Sequence, residues 1–388
     1  MLEPQGALFL ILLLGAFGGL VVWIALARQA AFRVTAAFLA FIPAMVFGIA
    51  TVNKYYDYYQ TWGALFSDLS GQAPSVPQLS AASLGGGNST ALISALGTSS
   101  NAALDAQFGL LFRATIPGRR SHITREAYIY LPPQYFSKAY ARYRFPAIEL
   151  LHGSPGQPSS WIDVMNVVPV FLQALAAHKA APAVLVMPNT DGGLKYALQC
   201  LNDPHGLQDM TYVGKEVPAW VAANLRVEPP GVGWGIAGYS EGGFCAANIG
   251  LQYASSFGFV GVISGYFAPT PSQVPLNGRP RDINVYRHYP RLAMVNTPAE
   301  YITRLPITVI TPQFFLAVGA TDPGDVRAAQ TFRQELQLRV ADVPLVVIPA
   351  GGHQARVWRA ALTPLFEWMT PQFTMEPLGQ VVSVKLRG

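Results

Sequence analysis

The sequence predicts an α/β domain, a mostly parallel central sheet with helices on both faces, carried behind an N-terminal two-helix transmembrane hairpin. Three observations predict it. From residue 124 onward, short apolar runs rich in Val, Ile, Leu and Phe alternate with helical patterns, the order that builds parallel strands joined by crossover helices. Two long, almost uncharged runs precede them at 6–27 and 34–52, each long enough to cross a bilayer. The 388-residue chain is 51% hydrophobic and 12% charged, against about 25% charged in an ordinary soluble domain, so part of it belongs in lipid.

The hairpin comes first. Glu3 stands where a secretory leader would carry basic residues, the first run is long, and a second follows at once. The pair therefore reads as an anchor rather than a cleaved signal. Arg28 and Arg33 lie in the short connection, which the positive-inside rule places in the cytoplasm. The N-terminus and everything after residue 52 then face outward, as in a multi-pass plasma-membrane protein with an extracytoplasmic body. Residues 53–62 carry four tyrosines and a tryptophan and suit the aromatic belt of a membrane interface; the alternative is a set of rings lining a lipid-access path. Residues 67–101 turn to Ser, Gly, Ala and Pro and read as a flexible tether, with Asn88-Ser-Thr matching a glycosylation acceptor. The expected division is 1–53 for the spans, 54–105 for the juxtamembrane stretch and linker, and 106–388 for the α/β domain.

In the body, a strand at 124–131 ends at Pro132-Pro133, and a buried strand at 147–151 runs into His152-Gly-Ser-Pro-Gly156. A helix at about 161–178, a strand at 183–187, a loop carrying Cys200 and a helix at about 212–224 follow. Strands at 234–237 and 257–263 precede an irregular insertion at 266–297, which its position makes part of a lid. A strand at 313–318, a helix from about 325, a strand at 344–348 and a helix at about 354–369 complete the domain. The formal charge of +5 comes from scattered Lys and Arg, and no nucleic-acid motif is present; the mild basicity suits an anionic membrane surface.

The strand at 234–237 leads into Gly238-Tyr-Ser-Glu-Gly242, which fits G-x-S-x-G, the nucleophile elbow of the α/β-hydrolase fold. Such an elbow lifts a serine clear of the sheet on a strained turn, where flanking side chains would collide with backbone. The alternative is a Gly-rich turn whose serine caps the next helix. A nucleophilic Ser240 needs a base, and the base an orienting acid. Only His288 and His353 follow it, and His353 stands directly after the last strand on a Gly-Gly loop. Asp322, first after the Gly319 turn, is the expected acid; Asp325 is the alternative, its competing use being a helix N-cap. The backbone N–H groups of Ser154 and Glu241 are the expected oxyanion donors, with His152 structural. Glu241 at the mouth would disfavour anionic substrates. Cys200 and Cys245, the two cysteines, read as a disulfide in an extracytoplasmic body, or else as two buried thiols. No metal site and no cofactor are expected.

Leu150-Leu-His-Gly-Ser-Pro-Gly156, Gly238-Tyr-Ser-Glu-Gly-Gly243 and Gly351-Gly-His353 together resemble the esterase D and antigen 85-like branch of the α/β-hydrolases, closest to actinobacterial membrane-anchored esterases. The resemblance covers about residues 110–370. It implies Ser240 as nucleophile, His353 as base, an acid at Asp322 or nearby, and hydrolysis or acyl transfer on esters; tethering at a bilayer points separately to lipid or envelope esters. Mycolyltransferases of the branch have a different elbow, without the paired Gly242-Gly243. Rival readings are a catalytically silent binding module, a scaffold role for the hairpin, and a serine peptidase on the same fold.

Overall fold

Strand order fixes where a ligand can sit in this chain. The computed structural model describes residues 2–70, 76–80, 84, 107–190, 199–204, 206–269, 290–306, 311–349 and 351–378. Within them nine strands form one sheet: β1 (Gln78–Leu79), β2 (Leu110–Pro117), β3 (Thr124–Leu131), β4 (Ala147–Leu151), β5 (Val184–Pro188), β6 (Gly231–Tyr239), β7 (Phe257–Ile263), β8 (Gln313–Gly319) and β9 (Leu345–Ile348). Their spatial order is β1-β2-β3-β5-β4-β6-β7-β8-β9. The run β5-β4-β6-β7-β8-β9 is parallel, and β3 joins it antiparallel. After β4 the chain moves outward to β5, then returns to the other side of β4 for β6. The crevice beyond the carboxyl ends of β4 and β6 is thus a topological switch point, where open parallel sheets bind ligands.

Two strands lie where the sequence reading had none. β2 alternates buried and more exposed residues along its length, the period of a half-covered strand; Leu110, Phe112, Ala114 and Ile116 carry it inward. β1 pairs in parallel with β2 through Gln78 opposite Arg113, and Leu84 is fully buried. Part of the stretch expected as a tether is therefore sheet edge and core. Asn88, residues 270–289 of the insertion and 191–198 of the Cys200 loop lie outside the described residues.

Helices cover both faces. On one, α4 (Val167–Ala176) packs against α8 (Ala355–Met369), with the Phe171 and Phe366 rings 4.9 Å apart. Buried residues of α8 at 355, 358, 362, 365, 366 and 369 follow the helical period that makes one apolar stripe. On the other face, α5 (Val217–Asn224), α6 (Glu241–Gln252) and α7 (Pro323–Leu336) enclose a core that includes Tyr212, Phe244 and Phe332. The expected helix at 161–178 is broken into a turn, Ser160–Asp163, and α4, with Asn166 in the left-handed region between them.

Ahead of the sheet stand α1 (Ala7–Leu26), α2 (Ala30–Tyr56) and α3 (Trp62–Ser70). The first two are long and apolar enough to cross a membrane. They pack against each other with Ala36, Ala40, Pro43 and Ala50 of α2 buried, small residues at helical spacing that let two helices approach closely. α2 runs four residues beyond the expected end of the second span, so Tyr55 and Tyr56 are helical.

Candidate active site

β6 ends at Tyr239, α6 starts at Glu241, and Ser240 between them has φ 55° and ψ −123°. A non-glycine residue pays strain to sit there, and close packing holds it. A Cβ on Gly238 would lie 2.2 Å from the Gly242 carbonyl oxygen, and one on Gly242 would lie 2.1 Å from that of Leu151. Neither position admits a side chain. The turn brings Ser240 Oγ to 2.9 Å from His353 Nε2, and the histidine stands beyond β9 as its loop predicted. A binding module with the histidine out of reach of the serine is not what this geometry describes.

The two carboxylates exchange the places expected for them. Asp325 Oδ2 lies 2.8 Å from His353 Nδ1, while Asp322 Oδ1 accepts the backbone N–H groups of Gly324 at 2.9 Å and Asp325 at 3.0 Å. Asp322 is thus the N-cap of α7, not the partner of the histidine. The reason is local. Pro323 occupies the first helical position, which its fixed φ favours and where its missing N–H is no loss; the residue before it becomes the cap and turns its carboxylate onto the helix end. Asp325 sits a turn further in, on the side facing His353. Asp322, Asp325 and His353 together could hold a metal ion, yet both imidazole nitrogens are already engaged by Ser240 and Asp325.

His152, at the end of β4, is buried. Its Nε2 accepts the backbone N–H of Thr190 at 3.2 Å, so its Nδ1 carries the proton and donates to the Gly153 carbonyl at 2.9 Å. In a trans peptide the N–H opposes the C=O. Holding the Gly153 carbonyl therefore also sets the direction of the Ser154 N–H, the expected oxyanion donor. Gly153 passes so near the elbow that a Cβ there would be 2.9 Å from the Tyr239 ring and 3.1 Å from Ser240 Cβ. Glu241 supplies the first N–H of α6, at the helix end where backbone donors have no acceptor in a preceding turn.

A family model described as Putative esterase matches residues 122–369. The chain belongs to this esterase family. Its fold is the α/β-hydrolase fold. It is 25% identical over 276 residues to an uncharacterized protein of Corynebacterium glutamicum, covering 68% of this chain and 62% of that one; the chain thus spans under two thirds of that curated relative's length. Among solved structures, a ferulic acid esterase superposes with a TM-score of 0.57 at 20% identity, over 68% of this chain and 98% of the other. The fluorophosphonate-binding serine hydrolase FphF of Staphylococcus aureus gives 0.54 at 16%, over 67% and 98%. An S-formylglutathione hydrolase of Agrobacterium tumefaciens gives 0.52 at 16%, over 69% and 97%. At these identities the likeness is one of fold.

Around this centre the chain has features that no motif announced. Trp358 of α8 stacks on Tyr239, ring centroids 4.7 Å apart, and meets the His353 ring edge-on at 5.2 Å. Tyr239 is fully buried, and desolvation pushes its phenol well above its ordinary 10, so it acts as a neutral wall. A Trp on the apolar stripe of a helix looks like any core residue, and only proximity to the histidine distinguishes it. Glu241 departs from expectation. Its side chain is buried, and Oε1 accepts the Gln199 N–H at 3.1 Å, so it does not guard the mouth against anions. Cys200, next to Gln199, is joined to Cys245 of α6 by a disulfide, Cα atoms 5.6 Å apart. Ser240 and His353 open into a cavity of about 760 Å³.

Proposed function

We propose that this chain is a membrane-anchored, extracytoplasmic serine esterase or acyltransferase working through Ser240, His353 and Asp325. The observation that carries the reading is the continuous relay from Ser240 Oγ through the imidazole to Asp325, 2.9 and 2.8 Å long, built on a strained elbow. Ser240 Oγ attacks the ester carbonyl carbon while His353 Nε2 takes its proton. Asp325 keeps the imidazole in the tautomer that presents Nε2 to the serine and stabilises the imidazolium. The Ser154 and Glu241 amides meet the oxyanion, each worth roughly 3 kcal/mol in comparable enzymes. As the tetrahedral intermediate collapses, the bond to the leaving alkoxide breaks and His353 returns the proton to it. Water or an acceptor alcohol, deprotonated by the same histidine, then releases the acyl group from Ser240.

The outward placement of the body is supported by Arg28 between α1 and α2 and Arg33 in the first turn of α2 and by the disulfide, which suits an oxidising compartment. The test is fluorophosphonate labelling of the full chain beside Ser240→Ala and His353→Ala, with p-nitrophenyl acetate turnover in parallel. Loss of labelling in Ser240→Ala and of turnover in both variants is expected. Undiminished labelling of Ser240→Ala would sink the reading.

A further inference from the structure

The hairpin is docked on the esterase body rather than trailing from it. Arg359 of α8 pairs with the Asp57 carboxylate just past α2, and its Nη1 also donates to the Val164 carbonyl at 2.8 Å. Tyr58 and Tyr59 pack against the core on the α4 and α8 face. Asn53 brackets Tyr59, accepting its N–H at 2.8 Å and donating to its carbonyl at 2.9 Å. Gln5, ahead of α1, donates to that same carbonyl at 2.9 Å. These bonds fix the upper ends of α1 and α2 beside the elbow.

The consequence is a shared cavity. The space of about 760 Å³ above Ser240 and His353 has its far wall made by Phe9 of α1, by Val46, Ile49 and Ala50 of α2, and by Tyr58 and Trp62. Its volume is that of a ligand pocket, and this wall is almost wholly apolar. Val46 lies seven residues before Asn53, about 10 Å further down the helix axis, inside the uncharged run that ends at residue 52. The exposed rings of Tyr55 and Tyr56 mark the interface level just above. The cavity therefore starts at the serine and reaches alongside the apolar run of α2, which on the reading of α1 and α2 as membrane spans lies at the depth of the outer leaflet. Ile49 lines the cavity while remaining 61% exposed, and Val52 57%, so the cavity wall is continuous with the exposed apolar surface of α2.

Resting on the reading of Ser240 as nucleophile, we propose that the transmembrane hairpin is one wall of the substrate site and that the substrate is a long-chain fatty acyl ester resident in the membrane. Its acyl chain enters from the outer leaflet and lies along Val46, Ile49 and Phe9, which brings the ester carbonyl level with Ser240. Apolar walls at bilayer depth fit an alkyl chain that never leaves an apolar medium, and they offer a water-soluble short-chain ester nothing to recognise.

The test uses the full chain in mixed micelles, with p-nitrophenyl laurate against p-nitrophenyl acetate, and a small fluorophosphonate as an independent count of active serine. Ile49→Trp fills the cavity, Val46→Phe fills it more gently, and Val22→Trp adds the same bulk on an exposed position of α1 (55% exposed) away from it. The wild type should prefer laurate. Ile49→Trp should lower laurate kcat/KM about tenfold or more beyond any loss on acetate, a discrimination within reach of an apolar pocket. Val46→Phe should move the same way and Val22→Trp should not. A wild type indifferent to chain length, equal losses on both esters, or the same loss in Val22→Trp would overturn the proposal while leaving the nucleophile intact. Absence of labelling in the wild type would instead remove the nucleophile reading, and this proposal with it.

Discussion

Asp322 and Asp325 lie three residues apart, and exchanging their side chains should separate a catalytic loss from a stability loss. Asp325→Asn keeps the shape at His353 Nδ1 but removes the charge 2.8 Å away. An amide can donate to Nδ1, which favours the tautomer with the proton on Nε2, where it cannot accept from Ser240. In serine proteases the corresponding change lowers kcat about 10⁴-fold, equivalent to about 5.5 kcal/mol of transition-state stabilisation. Asp322→Ala removes the acceptor for two amides at 2.9 and 3.0 Å, a lost N-cap worth about 1 kcal/mol and a fall in Tm of about 2 °C for a chain of this size. Asp322→Asn, which keeps an acceptor, should unfold close to wild type. The assay is p-nitrophenyl ester turnover paired with thermal unfolding of each variant. Asp325→Asn should lose activity at unchanged Tm, and Asp322→Ala should lose Tm at nearly unchanged activity. If Asp322→Ala abolished turnover while Asp325→Asn retained it, the assignment drawn from the α7 cap would be wrong.

The buried groups make two further predictions. Glu149 on β4 is fully buried, has no hydrogen-bond partner for either carboxyl oxygen among the described residues, and is pushed by desolvation well above its ordinary 4.5. Below about pH 4.5 folded and unfolded chains both hold the proton; above it the unfolded chain releases the proton that the fold retains, so this residue lowers stability progressively as pH rises towards its folded value. Glu149→Leu should therefore raise Tm more at pH 8 than at pH 5, and an equal gain at both would refute the linkage. The Cys200–Cys245 bridge closes a loop with a sequence separation of 45, worth up to about 4 kcal/mol by chain entropy. The double variant Cys200→Ser, Cys245→Ser should melt lower, and thiol titration of unfolded, unreduced wild type should find no free thiol.

What the sequence determined by itself is whatever depends on neighbouring residues. Alternation of strand and helix patterns, two long apolar runs, and a serine between glycines are local signals, and the parallel sheet and the turn at Ser240 follow from them. The N-cap was also local: Pro323 at the first position of α7 marks Asp322 as the cap, a signal outweighed in the sequence reading by the order of the two acids. β2 was legible in its two-residue period. What only the tertiary structure decided depends on residues distant in the chain. Glu241 looked like a charge at the mouth until Gln199, held by a disulfide spanning 45 residues, met its carboxylate. Trp358 became a neighbour of His353 through helix packing, which no motif records. The wall opposite Ser240 comes from α1 and α2, roughly two hundred residues earlier. Their apolar side chains read simply as lipid-facing, because burial in a bilayer and burial in a pocket demand the same residues. The contact of Arg359 with Asp57 and the seating of Tyr58 and Tyr59 on the body decide which of those side chains meet the active site.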